Sequence, residues 1–177
     1  MLKKAVLWIF KPEVMFSRGV SGREAFLYFS GAVALEVLLS GIHQPMGLPD
    51  FILRWITNFV LILLFLLLMF PLSHLIASFL GEDEPPLSES FKNALSFYGV
   101  SWMAFFPVVV GFSFLHPAFG LLPFGVFIYL LIKYFMWAYD VSIAGALIAA
   151  VLPPAVVLLY MLVMAYHIWV LRWTLFS

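Results

Sequence analysis

Cysteine is absent from the 177 residues, which removes disulfides, thiolate metal sites and a cysteine nucleophile together. Charge is scarce: Asp, Glu, Lys and Arg make up 10% of the chain, too few polar side chains to cover the surface of a water-soluble fold. Neither sign predominates, because nine basic residues balance nine acidic ones, so no global field exists to recruit nucleic acid. The sequence also lacks a phosphate-cradling glycine-rich loop and a His-Glu-x-x-His helix. No cleaved leader is expected, since the first apolar run, Ala5 to Phe10, is cut by Lys11 and Pro12 before it reaches signal-peptide length.

Apolar side chains are abundant. They form 65% of the chain, against about 45–50% in a soluble domain, and the mean hydropathy is +1.11. An all-α, polytopic membrane protein follows. A crossing needs about 20 predominantly apolar residues, and five segments qualify: about 24–42, 54–80, 93–115, 118–138 and 142–170. The first is interrupted only by Glu36 and ends in the turn-rich stretch from Gly41 through Pro49-Asp50. Pro71 should bend the second or end its straight portion. The third and fourth come from one uncharged run, Asn93 to Ile132, which is split at His116-Pro117 and Gly120. Pro107, Pro123 and the Pro153-Pro154 pair predict kinked helices whose freed carbonyls are satisfied within the bundle.

Basic residues set the expected orientation. With the amino terminus cytoplasmic, Lys3, Lys4, Lys11, Arg18, Arg23, Lys92 and Lys133 fall inside and only Arg54 and Arg172 outside. Five crossings then place the carboxyl terminus on the extracytoplasmic side. Trp55, Trp137, Trp169 and Trp173 fall near span ends, where indole rings favour the headgroup layer, and Trp102 lies inside span three. Residues 1–20 read as an interfacial segment ahead of a membrane domain at 21–177. In residues 2–11, Leu2, Ala5, Val6, Ile9 and Phe10 share one helical side and Lys3, Lys4 and Lys11 the other, with Leu7 on the basic side.

Three inner entries share a short pattern: Ser21 with Ala25, Ser90 with Ala94, and Ser142 with Ala146. Serine is a natural N-cap and Ser21 with Glu24 fits a capping box, so helix-start chemistry and an internal duplication both account for the recurrence. The order Phe10-Lys-Pro12-Glu-Val-Met-Phe16, Ser21 with Ala25, His74-Leu-Ile-Ala-Ser-Phe-Leu-Gly81, Ser88 to Ala94, Phe97-Tyr98-Gly99 with Pro107, and Ser142 with Ala146 resembles the Yip1 domain family. That resemblance covers nearly the whole chain and implies five spans, a cytoplasmic amino terminus and an extracytoplasmic carboxyl terminus. The long amino-terminal region of eukaryotic members, with its Asp-Leu-Tyr-Gly-Pro stretch, has no counterpart here. The resemblance is therefore to the short prokaryotic type, and the link to trafficking GTPases does not carry over. Tyr98, Gly99 and Pro107 match family positions, with packing and bending as their implied roles.

Glu36 is the foremost candidate for function. It lies 12 residues beyond Glu24, roughly 18 Å along the span and close to the bilayer middle. A carboxyl there must face the bundle interior, take up a proton, or find a partner. Lys133 is the obvious cation, and two readings stand: a structural link between helices, or part of a polar passage. The loop Gly81-Glu-Asp-Glu-Pro-Pro-Leu-Ser-Glu89 is acidic and reads as a solvated connector, a docking surface for a basic partner or a divalent-ion contact; it lacks EF-hand spacing, so specific calcium binding is not expected. His43, His116 and His167 fall near the outer face, where three converging imidazoles could hold zinc, and His74 falls toward the inner end of span two. Ser113 follows Gly111-Phe but lacks the second glycine of a nucleophile elbow and a visible base. No catalytic residue, metal or cofactor is assigned. The expected function is non-enzymatic: a membrane scaffold or adaptor contacting lipids, other membrane proteins or a second copy of itself. A small transporter or channel using Glu36 and Lys133 is the alternative.

Overall fold

The computed structural model describes residues 6, 8–43, 46–113 and 121–176, the side chains of 43, 112, 113 and 168–176 excepted. These residues form α1 (Pro12–Arg18), α2 (Gly22–His43), α3 (Leu48–Leu80), α4 (Leu87–Ser113), α5 (Leu122–Ala138) and α6 (Ile143–Phe176), with a further helical stretch at residues 8–10 and no strand among the described residues. Four of these helices, α2, α3, α4 and α6, are long and apolar enough to cross a membrane; α5 is a shorter apolar helix.

Helix boundaries differ from the sequence expectation where local chemistry outweighs hydropathy. The segment Leu48-Pro49-Asp50, expected in a turn, is the first turn of α3. Proline is tolerated there because its missing N–H has no intrahelical partner anyway. Helix α4 starts at Leu87, six residues before the expected 93, because the polar stretch Ser88 to Lys92 is helical even though it is not apolar. Pro71, Pro107, Pro153 and Pro154 all lie inside continuous helices. At the amino end of α2 the capping box forms: Glu24 N–H donates to Ser21 Oγ at 3.2 Å, and Ser21 N–H to Glu24 Oε2 at 3.3 Å. Ser142 caps α6 likewise, accepting from Gly145 N–H at 3.2 Å. Ser90 does not cap: it is buried three residues inside α4.

Helices α2 and α4 make the most intimate contact and run parallel, with Gly22 beside Lys92, Gly31 beside Met103 and Gly99 beside Tyr28. A Cβ on Gly99 would meet the Tyr28 Cβ and carbonyl oxygen at 2.5 Å, so only glycine lets these backbones approach. Trp55 ties α3 to α2 by donating from Nε1 to the Ser30 carbonyl at 3.3 Å.

Around this pair an aromatic core closes the bundle. Phe29, Phe70, Phe97, Phe127, Tyr134 and Phe135 are almost fully buried, and edge-on contacts link many of them, Phe97 to Tyr134 at 5.4 Å among them. Helix α1 belongs to this core: Phe16 contacts Phe97, Tyr134 and Trp137, and Met15 is fully buried. Upstream, Trp8 and Ile9 are buried, with Trp8 edge-on to Tyr28, whereas Val6 and Phe10 are exposed. Residues 8–18 thus dock on the bundle. Leu2, Lys3, Lys4, Ala5 and Leu7, on which the amphipathic pattern partly rests, lie outside the described residues.

One end of the bundle collects the starts of α2, α4 and α6 and the ends of α3 and α5. Glu82 and Asp83 N–H groups donate to the Tyr139 carbonyl at 3.0 and 3.3 Å, and Leu80 packs against Gly145. The turn from α5 to α6 is short and places Asp140 at φ 50°, a left-handed conformation that aspartate adopts more readily than most residues.

Candidate functional site

Two polar clusters lie inside this apolar fold. The first surrounds Glu36. Its carboxylate Oε1 accepts a hydrogen bond from the Tyr98 hydroxyl, which joins α2 to α4. Glu36 lies about two turns beyond Tyr28 along α2, and the lengths of the glutamate and tyrosine side chains close that gap. The Tyr98 hydroxyl also takes a hydrogen bond from the Trp102 side chain one turn on, and Ser40 Oγ donates to the Glu36 carbonyl at 3.2 Å. Tyr98 and Trp102 are buried and Glu36 is half-buried. The close approach at Gly99 is what brings the two helices near enough for the Glu36–Tyr98 bond.

Lys133 is not part of this cluster. It sits half-buried on α5 and forms no ion pair or hydrogen bond with Glu36 among the described residues. Its neighbour Tyr134 explains why: Tyr134 bonds to Ser90 near the start of α4, at the loop end of the bundle, whereas Glu36 lies well along α2. Of the other positions singled out from sequence, Gly99 packs on Tyr28 and Pro107 lies within α4.

The second cluster was not legible as a unit in the sequence. His74 Nδ1 and the Tyr139 hydroxyl lie 2.5 Å apart. The Tyr139 hydroxyl is 3.0 Å from Ser90 Oγ, and Ser90 Oγ meets the Tyr134 hydroxyl at 3.0 Å. Asn93 bonds Tyr134 from one turn further along α4. On the outer side, His74 Nε2 faces Glu84 Oε1 at 3.9 Å. A continuous polar string therefore runs from the acidic loop into the bundle, linking α3, α4 and the end of α5. Burial pushes the Tyr139 phenol up, so it stays a neutral hydroxyl at physiological pH.

No family model, curated protein or solved structure matches this chain. The resemblance to the Yip1 domain family accordingly rests on its sequence cues alone. His167 is described, and its Nδ1 bonds the Val163 carbonyl at 2.8 Å. The His43 side chain, His116 and the Ser113 side chain lie outside the described residues, and no group of three metal-ligating side chains occurs among the described ones.

Proposed function

We propose that the chain is a five-crossing, non-enzymatic integral membrane protein of Yip1-like type, a scaffold or adaptor that contacts lipids and other membrane proteins. In this reading the amino terminus is cytoplasmic and the carboxyl terminus extracytoplasmic. Support for the fifth crossing comes from the backbone bonds between Glu82, Asp83 and Tyr139: the chain leaves this end in α4 and is back at it when α5 finishes. Seventeen residues in α5 span about 25 Å, a shortfall against the roughly 30 Å hydrocarbon core that local thinning of the bilayer accommodates.

The observation that carries the scaffold role is the use made of Glu36. Its carboxyl is engaged in a helix-to-helix bond with Tyr98 and pairs with no cation among the described residues. The outward faces of α3 and α6, meanwhile, present large apolar side chains, from Leu61, Leu64 and Leu68 to Leu159, Tyr160 and Leu162. An apolar groove of about 540 Å³ between the end of α2 and the start of α3, lined by residues including Val37, Ile42, Met46 and Phe51, adds surface suited to acyl chains. Reconstituted into liposomes, wild type and Glu36→Gln are expected to give the same ion and solute leak as empty vesicles. A wild-type flux abolished by Glu36→Gln would instead establish the transporter alternative.

A further inference from the structure

The polar string beneath the acidic loop can be satisfied in two directions. Ser90, Tyr134 and Tyr139 each carry one hydroxyl, able to donate one bond and accept another, and the Asn93 amide offers both a donor and an acceptor. A neutral imidazole with its proton on Nε2 accepts at Nδ1, so the string runs outward: Asn93 to Tyr134, Tyr134 to Ser90, Ser90 to Tyr139, Tyr139 to His74. A protonated imidazole donates from both nitrogens, and the string runs inward, with Tyr139 donating to Ser90 and Ser90 to Tyr134, while the Asn93 amide, a donor to Tyr134 in the first state, turns over to accept from it in the second. Neither state strands a hydroxyl. The other neutral tautomer, with its proton on Nδ1, would turn the Nε2 lone pair toward the Glu84 carboxylate and is disfavoured by that repulsion.

The outer nitrogen of His74 faces the loop. Glu84 Oε1 is 3.9 Å away, and Glu82 and Asp83 are fixed beside it through the Tyr139 carbonyl. The charged groups acting on the string are Glu84 from the loop and Glu89 from α4, both acidic. The titratable groups on it besides His74 are Tyr139 from the end of α5 and Tyr134 from within it, both hydroxyls.

The geometry points to a proton-operated latch: protonation of His74 turns the string inward and draws the Glu82–Glu84 loop onto the ends of α3 and α5, and loss of the proton removes that attraction and leaves the loop on its backbone bonds. The latch closes as the pH falls and the imidazole takes up its proton, and loosens as the pH rises and that proton is lost.

The absence of native cysteine makes the test direct. A nitroxide on Glu82→Cys, an exposed position whose backbone bond is retained, is followed by electron paramagnetic resonance in lipid nanodiscs between roughly pH 8 and pH 4.5, a window that brackets the imidazole range. The immobilised fraction is expected to rise about two-fold or more as the pH falls through that range. His74→Gln should abolish the rise. Glu84→Gln, which alters only an exposed side chain, should move the midpoint to lower pH by about half a unit, as an exposed ion pair does. A flat wild-type profile, a rise that survives in His74→Gln, or an unmoved midpoint in Glu84→Gln would each overturn the latch. Should His74→Gln fail to fold, the Glu84→Gln midpoint decides.

Discussion

Replacing Gly99 with valine is expected to abolish the cooperative thermal transition of the detergent-solubilised protein, whereas Gly31→Ala leaves it intact. At Gly99 the added carbon meets Tyr28 backbone and Cβ, and neither can move without parting α2 from α4. Overpacking ordinarily costs about 1–3 kcal/mol and occasionally more. Here it also pulls apart the Glu36–Tyr98 bond, so a loss above about 3 kcal/mol is expected. At Gly31 the added carbon lies 2.7 Å from the Met103 methyl, the far end of a flexible side chain that can turn aside. The gain in helix propensity of about 1 kcal/mol on Gly→Ala offsets that adjustment. Thermal melting by size-exclusion recovery separates the two outcomes, and equal behaviour of both variants would contradict the close-approach account.

Tyr98→Phe is the second large effect. It leaves the Glu36 carboxyl inside the bundle without its donor, which should cost about 1–3 kcal/mol. Glu36→Gln keeps an amide oxygen to accept from Tyr98 and should cost less. The double variant Tyr98→Phe with Glu36→Leu removes both polar partners and should recover much of the loss, because a matched apolar pair strands nothing. The coupling in this cycle is read from melting temperatures of wild type, the two single variants Tyr98→Phe and Glu36→Leu, and the double variant. Strict additivity would mean that the two side chains do not hold each other.

Much of the fold was legible because bilayer thickness is a strong constraint on sequence. Long apolar runs announce α2, α3, α4 and α6, and Ser21 with Glu24 announces a helix start through chemistry confined to one turn. Helix beginnings were less legible wherever polar residues are helical, as at Ser88 to Lys92, since hydropathy reports where a helix meets lipid and not where its hydrogen bonds begin. Glu36 was conspicuous as a lone carboxyl, but its partner was not: opposite charge suggested Lys133, and the answer was a phenol brought near by a glycine. The same limit hid the His74 string. Ser90 lies 16 residues from His74 and 49 from Tyr139, and each alone is an ordinary helix-end polar residue. Ser90 looked like a cap because Ser21 and Ser142 are caps. Only the arrangement of α3, α4 and α5 reveals it as a junction.

The measurement that tests the membrane architecture most directly uses single cysteines in the cysteine-free chain. Asp83→Cys, Ser142→Cys and Gly47→Cys are expressed separately, and each is challenged with a membrane-impermeant maleimide from one side of sealed vesicles. Five crossings predict that positions 83 and 142 react from the cytoplasmic side and position 47 from the opposite side only. Reaction of 83 and 142 from opposite sides would contradict the fifth crossing and with it the assembly proposed for this end of the bundle.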